Sequence, residues 1–363
     1  MSKKFVVIAA GGTGGHLFPA AAFAEEMFRR GWRVLLMTDA RGRRYAEGFP
    51  AERVEDVPAA SLTANPFKAL PALFKISRGV AAANKRFKEI QPALVAGFGG
   101  YPSFPALMAA RGQKIPILIH EQNSVLGRVN RAMAGSAAAI ACGFERLDRL
   151  PASAVSRKHV VGNPVRSPIL AVRERPYPEI AAGGRINLLI IGGSQGARLF
   201  GEVIPEAVGL LPKDLRARLD VVQQVREEQL QAARRAYDKA KVKAEVAPFF
   251  SDMGQRLAAA HLVIARAGAS SVTELQVAGR PAILVPFAAA ADDHQTANAE
   301  GLTTVGAADL FTEQDFTPGA LAACLERRLS DPHGLSVRAA AARAAANPEA
   351  AKALADLAES IAA

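Results

Sequence analysis

The stretch Gly11-Gly12-Thr13-Gly14-Gly15-His16 decides how the rest of the chain is read. An apolar run, Phe5-Val6-Val7-Ile8-Ala9-Ala10, precedes it, and residues 17–26 follow with the spacing of a helix. A buried strand that feeds a glycine-rich turn opening a helix is the layout of a phosphate cradle. The helix start leaves N–H groups unpaired and carries the positive end of the helix dipole. A dinucleotide site fits poorly, because the third glycine of a GxGxxG fingerprint counted from Gly12 is Leu17. Asp39, after a second strand over residues 33–38, stands where such a fold keeps its ribose-binding acid.

Working outward, 363 residues suffice for two domains, and half of them are hydrophobic. There are 45 Lys and Arg against 34 Asp and Glu, a formal net charge of +11, which favours polyanions or an anionic membrane surface. Cys142 and Cys324 form no CxxC pair and no metal spacing, as suits a reducing compartment. The first apolar run is too short for a signal peptide, and no run approaches the ~18 residues of a spanning helix. The expected protein is cytosolic or peripheral.

Residues 57–88 contain no acid, while Lys68, Lys75, Arg78, Lys85, Arg86 and Lys88 supply positive charge. Phe67, Leu70, Leu73 and Phe74 lie beside them at helical spacing. Such a segment is either a membrane-facing helix or a surface helix with its apolar side in the core, and Pro71 suggests two short helices. A strand over 93–98 then leads to Gly99-Gly100-Tyr101-Pro102-Ser103, and another over 115–119 to His120-Glu121-Gln122-Asn123-Ser124. Polar residues past a strand's carboxyl end are where open α/β sheets bind ligands, so Glu121 and Asn123 are candidates for a hydroxyl-rich molecule. The other reading makes His120 or Glu121 a cap for a helix near Val125. Further strands are expected over 137–142 and 159–161, before proline density marks a linker near residue 165.

The pattern then restarts. A strand over 186–191 feeds Gly192-Gly193-Ser194-Gln195-Gly196-Ala197-Arg198 and an apolar helix, which implies two Rossmann-like domains in tandem. Gly193 and Gly196 allow close backbone approach to phosphate, and Ser194 adds a hydroxyl. Strands over 221–224, 243–247, 262–265 and 280–286 follow. After the second of these, Phe249 and Phe250 can stack on a flat base, or one of them can fill the core. Residues 266–274, Arg-Ala-Gly-Ala-Ser-Ser-Val-Thr-Glu, place Glu274 one to two turns into a helix. There a carboxylate can accept both hydrogen bonds of a ribose diol, or pair with Arg266. Residues 292–298 offer amides and hydroxyls suited to sugars.

With these loops in place, the chain resembles the MurG-type enzymes of peptidoglycan synthesis along nearly its whole length. The matching stretches are GGTGGHLFP at 11–19, HEQNS at 120–124, GNPVR at 162–166, GGSQGAR at 192–198, RAGASSVTE at 266–274 and DDHQTANA at 292–299. The resemblance implies an α/β protein of the GT-B class, with two Rossmann-like parallel-sheet domains facing across a cleft. Residues 1–165 would form the acceptor and membrane domain, with a helix over 347–363 packing back on it. Residues 166–346 would hold UDP-N-acetylglucosamine.

The implied reaction is an inverting transfer of N-acetylglucosamine to the C4 hydroxyl of a lipid-linked MurNAc-pentapeptide. His16 is the candidate base, since a helix N-terminus favours neutral imidazole; the rival role is to position acceptor phosphate or cap its helix. Ser194, Gln195, Gly196 and Arg166 would meet the diphosphate. Phe250 would offer its backbone to uracil, Arg266 and Ala269 would lie beside the nucleotide, Glu274 would bind the ribose and Gln295 the sugar. Thr13, His16, Tyr101 and Asn123 would line the acceptor side, with Thr13, Gly14, Gly15 and Asn123 also near the donor. Thr296 stands where such enzymes often carry a second glutamine.

No metal or cofactor is expected, because Asp292-Asp293 is not a spaced Asp-x-Asp. A lipid-borne acceptor makes Phe67, Lys68, Leu70, Leu73, Phe74, Lys75 and Arg78 a membrane face on the cytoplasmic side of a bacterial cell membrane. Other cell-wall synthesis proteins are possible partners, and nucleic acid is not one. A UDP-N-acetylglucosamine epimerase shares the fold but needs carboxylates from both domains around the sugar. A non-catalytic sugar-binding protein would usually carry an export signal.

Overall fold

Apolar runs alternating with helices build two parallel sheets. The computed structural model describes residues 4–44, 46–61, 66–193 and 196–362, with the backbone alone at 66–68. The chain divides into two units, Met1–Arg166 with Asn347–Ala363, and Ser167–Ala346.

In the first unit the strands are β1 (Phe5–Ala9), β2 (Arg33–Thr38), β3 (Arg53–Asp56), β4 (Leu94–Gly97), β5 (Ile117–Glu121), β6 (Ala139–Cys142) and β7 (Lys158–Val160). They form one parallel sheet in the order β3-β2-β1-β4-β5-β6-β7. Val6 and Ile8 of β1 enter one apolar cluster, while Val7 and Ala9 enter another on the opposite face. A strand buried on both faces must be apolar at every position, so β1 reads as a continuous run rather than an alternation.

The second unit contains β8 (Ile186–Ile191), β9 (Leu219–Gln224), β10 (Lys243–Ala247), β11 (Leu262–Ala265), β12 (Ala282–Leu284) and β13 (Ala308–Leu310). Its order is β10-β9-β8-β11-β12-β13, again parallel throughout. In both sheets the chain goes one way from the first strand and then reverses. The reversal falls between β1 and β4 and between β8 and β11. Open α/β sheets bind ligands beyond the strand carboxyl ends at such a point. Each glycine loop sits there by topology.

Three details differ from the sequence reading. The strands β3 and β13 were not expected; both are short edge strands, where half-solvated residues leave no apolar run. The helix Pro66–Ile90 continues through Pro71, which lies on its exposed side and forfeits only one backbone bond. His120 and Glu121 close β5 itself and are buried, rather than lying beyond it.

The helix Ala350–Ile361 returns to the first unit, where Leu354, Ala355 and Ala358 join the cluster of Leu17, Ala20 and Phe23. Glu26 receives Arg29 and Arg30, and Arg30 continues to Asp356 and Glu359. The Arg29 hydrogen bond, with Arg30 and against the effect of burial, lowers the Glu26 carboxyl from 4.5 to about 2. A depressed native pKa gives stability that is full above about pH 4.5 and lost as pH falls towards 2. A Glu26→Gln variant is therefore expected to unfold at lower urea than the native chain at pH 7 and to converge with it in acid. A constant offset across that range would remove Glu26 from this role.

Candidate active site

The first loop is held from below by one carboxylate. Asp39 Oδ1 accepts from the Gly12 amide at 3.0 Å and the Gly42 amide at 2.9 Å, and Oδ2 accepts from the Tyr101 hydroxyl at 2.6 Å. Burial pushes the Asp39 pKa up, but the Tyr101, Gly42 and Gly12 donors outweigh it and leave the carboxyl below its usual value. Asp39 is thus a loop clamp rather than a ribose ligand. Tyr101, expected on the acceptor side, spends its hydroxyl on this clamp. Thr13 is the N-cap of the helix Gly14–Arg29, and its side chain makes no capping bond.

His16 lies in the first turn of this helix. Its Nδ1 is 3.1 Å from Oε1 of Gln122. Gln122 Nε2 donates to the His120 carbonyl at 3.1 Å and lies 2.9 Å from His120 Nδ1. His120 Nε2 in turn lies 3.1 Å from the Gly162 carbonyl. A Cβ at Gly99 would sit 3.4 Å from the His16 ring and one at Gly100 3.2 Å from it, each at positive φ, so glycine suits both positions beside that imidazole. Burial lowers the His120 pKa to about 4, against the Gly162 bond, so this ring is neutral.

Glu121 takes the capping role. It accepts from the amide and side chain of Asn123 on one oxygen, and from the Gly127 amide and Asn130 on the other. Gly127 is the N-cap of the helix Arg128–Met133. Asn123 therefore turns its amide nitrogen to Glu121. In the GNPVR stretch, Asn163 donates to the Gln122 carbonyl at 3.0 Å, and the Arg166 guanidinium stacks 3.9 Å over Phe18.

The second loop has its own clamp. Gln224, at the end of β9, accepts from the Gly192 amide at 3.1 Å and donates to the carbonyls of Gly193 and Pro248. Ser194 and Gln195 lie outside the described residues. The helix Arg198–Leu210 starts at N-cap Ala197 without a side-chain cap, as the helix Ala269–Ala278 does at N-cap Gly268. Two uncapped N-termini thus sit at the β8/β11 reversal, with Ala269 first in its helix and Glu274 in the second turn.

Arg266 is a strut rather than a free cation. It donates to the carbonyls of Val285 and Pro286 and pairs with Glu313, not Glu274, between the rings of Phe200 and Phe287. Gln295 accepts from the Phe287 amide at 2.9 Å, and Thr296 donates to Asp293. Phe250 is buried under the Arg256 guanidinium while Phe249 is 72% exposed, so of the two aromatics Phe250 fills the core.

Sequence reasoning missed Gln122, Gln224, Asn163 and Asn298, whose side chain donates to the Ala267 carbonyl. For Gln122, Asn163 and Gln224 the available signal was a polar residue at or just past a strand end; Asn298, inside the helix His294–Thr303, carried none.

The helix Pro66–Ile90 buries Ala72, Ile76, Ala83 and Phe87. Leu70, Leu73 and Phe74 face solvent at 75%, 52% and 65%, next to exposed Lys75 and Arg78. The side chains of Phe67 and Lys68 lie outside the described residues. No helix among the described residues is long and apolar enough to cross a membrane.

Comparison with known proteins agrees with this architecture. Residues 6–142 match the glycosyltransferase family 28 N-terminal domain and residues 187–359 the C-terminal domain. The UDP-N-acetylglucosamine–N-acetylmuramyl-(pentapeptide) pyrophosphoryl-undecaprenol N-acetylglucosamine transferase of Maricaulis maris is 53% identical over 98% of this chain and 97% of its own. The protein of the same name from Caulobacter vibrioides is 50% identical over 98% of this chain and 99% of its own. The crystal structure of Acinetobacter baumannii MurG superposes with a TM-score of 0.78 at 33% identity, covering 99% of both chains. With two Rossmann-like parallel sheets of the GT-B class and relatives of this closeness, the chain belongs to glycosyltransferase family 28, among the MurG-type N-acetylglucosamine transferases.

Proposed function

We propose that the chain transfers N-acetylglucosamine from UDP-N-acetylglucosamine to the C4 hydroxyl of undecaprenyl-diphosphoryl-MurNAc-pentapeptide, with inversion. The names of its close relatives supply the substrates. The observation that carries the chemistry is His16, a histidine in the first turn of an uncapped helix with no described residue hydrogen-bonded to its Nε2. That nitrogen takes the acceptor hydroxyl proton as the oxygen bonds to the anomeric carbon. The bond from that carbon to UDP breaks, and UDP leaves with the electron pair.

The second unit holds the donor. Amides at the starts of the helices Arg198–Leu210 and Ala269–Ala278, with Ser194, Gln195 and the close backbone approach that Gly196 allows, stabilise the departing diphosphate. Glu274 accepts from the ribose diol, the Phe250 backbone meets uracil, and Gln295 keeps its Nε2 for sugar hydroxyls while its Oε1 holds the 287 loop. Arg266 fixes the loop from which Ala269 starts. In the first unit Thr13, Gly14 and Gly15 present the helix start to the acceptor diphosphate, beside Tyr101 and Asn123. Arg166 adds positive charge at the departing UDP diphosphate. UDP release should require the lipid acceptor and persist in EDTA. Acceptor-independent conversion of the donor would indicate an epimerase, and binding without turnover a sugar-binding protein.

The exposed Leu70, Leu73 and Phe74 with Lys75 and Arg78 form the docking face for the anionic cytoplasmic leaflet. A Leu73→Ser/Phe74→Ser/Lys75→Glu variant is expected to lose sedimentation with anionic vesicles while keeping its thermal midpoint. Unchanged sedimentation would move the docking face elsewhere.

A further inference from the structure

We propose that Gln122 and His120 are positioning residues that lock His16 in the Nδ1–H tautomer and so leave the lone pair on Nε2. The inference rests on the reading of His16 as the base and specifies what prepares it. Backbone carbonyls anchor the relay at two points, and carbonyls only accept. The Gly162 carbonyl lies 3.1 Å from His120 Nε2, so that nitrogen carries hydrogen. His120 is neutral, so its Nδ1 accepts, and the Gln122 amide nitrogen lies 2.9 Å from it. The same amide nitrogen is 3.1 Å from the His120 carbonyl, which fixes the orientation of the amide independently. Gln122 Oε1 therefore faces His16, and His16 Nδ1 donates to it across 3.1 Å. No other arrangement of protons satisfies all four contacts with neutral rings.

Two consequences follow. A free neutral histidine prefers hydrogen on Nε2, so the relay inverts that preference and exposes the lone pair at the ring position directed away from Gln122. Proton uptake at Nε2 also leaves every relay bond unchanged, so the base charges without rearranging its support. Of the other ionisable groups around this loop, Asp39, Tyr101 and Glu121 are committed to the partners described above, Arg41 lies beside the Tyr101 hydroxyl, and the Arg166 guanidinium stacks over Phe18. Gln122 and His120 are 2% and 1% exposed, which keeps water from replacing either member.

The test is a long-range ¹H–¹⁵N spectrum of the ring nitrogens in the full chain without substrates, at a pH where His16 is neutral. The expected pattern for His16 is a protonated Nδ1 and an unprotonated Nε2. The reverse pattern, or rapid averaging of the two, overturns the proposal, and this measurement needs no variant. In Gln122→Met the His16 signals should move towards the averaged or Nε2–H pattern. kcat should fall roughly 10–100-fold with both KM values within about twofold. Retention of the wild-type tautomer and of kcat in a folded Gln122→Met protein overturns it as well. The spectrum is read in the resting enzyme, so it stands apart from the base assignment. A His16→Ala enzyme with full turnover would refute the base and leave the tautomer result intact.

Discussion

Replacing His16 with alanine is expected to lower kcat by about 10²–10⁴-fold while KM for either substrate changes little. The imidazole is the one side chain of general-base type on the first unit's glycine loop, and its Nε2 has no partner among the described residues. Each factor of ten corresponds to about 1.4 kcal/mol of transition-state stabilisation, so the loss amounts to roughly 3–5 kcal/mol. A residue that only held acceptor phosphate would act in both ground and transition state, and its removal would raise KM and spare kcat. The split between the two parameters therefore decides the role. The limb of the kcat profile that rises with pH in the wild type should vanish in the variant. Its survival would place the base elsewhere.

The largest stability loss is expected at Arg280. It is 1% exposed, and its guanidinium donates to the carbonyls of Leu257, Ala258, Ala278 and Gly279, all at or just past the ends of the helices Met253–Ala259 and Ala269–Ala278. Helix ends leave carbonyls without intrahelical partners, and here one buried cation serves both ends while lying over the Tyr177 ring. Burial lowers its pKa to about 10, with Tyr177 acting the other way, so it remains charged at neutral pH. Arg280→Met keeps volume and removes every donor. The expected cost is on the order of 3–5 kcal/mol, read from urea unfolding. A loss under about 1 kcal/mol would mean that water reaches these carbonyls. The helix starting at Ala269 should lose its position with its far end, so donor affinity should weaken as well.

The sequence carried the fold class because its central strands are continuous apolar runs, each followed by a glycine turn. Residues 5–10 and 186–191 are short, mostly apolar and stopped by glycine, which fits a strand covered on both faces better than a helix. The edge strands β3 and β13 were invisible for the opposite reason. Arg53-Val54-Glu55-Asp56 has one apolar side chain in four, and a strand paired on one side needs no more. Pro71 misled because proline costs least where its ring faces solvent, and exposure is not written in the local sequence.

At the site, the loops were legible and the bonds beneath them were not. Asp39 drew notice as an acid after a strand, but its work on Gly12, Gly42 and Tyr101 joins three separate parts of the chain. Arg266 read as a cation for the nucleotide and turned out to be occupied by Val285, Pro286 and Glu313. Gln122 stood inside a motif already singled out, yet its partner His16 is 106 positions away. Such pairings depend on which strands the topology brings side by side, and only the sheet order supplies that.

The most direct measurement is mass spectrometry of the lipid after the purified chain is incubated with UDP-N-acetylglucosamine and undecaprenyl-diphosphoryl-MurNAc-pentapeptide in anionic vesicles. The expected product is the acceptor heavier by one N-acetylhexosamine, β1→4-linked by NMR of the released disaccharide, formed in step with UDP and about 10²–10⁴-fold more slowly with His16→Ala. Recovery of the unchanged acceptor while the donor is consumed, or an α-linked product, would contradict inverting transfer by this protein.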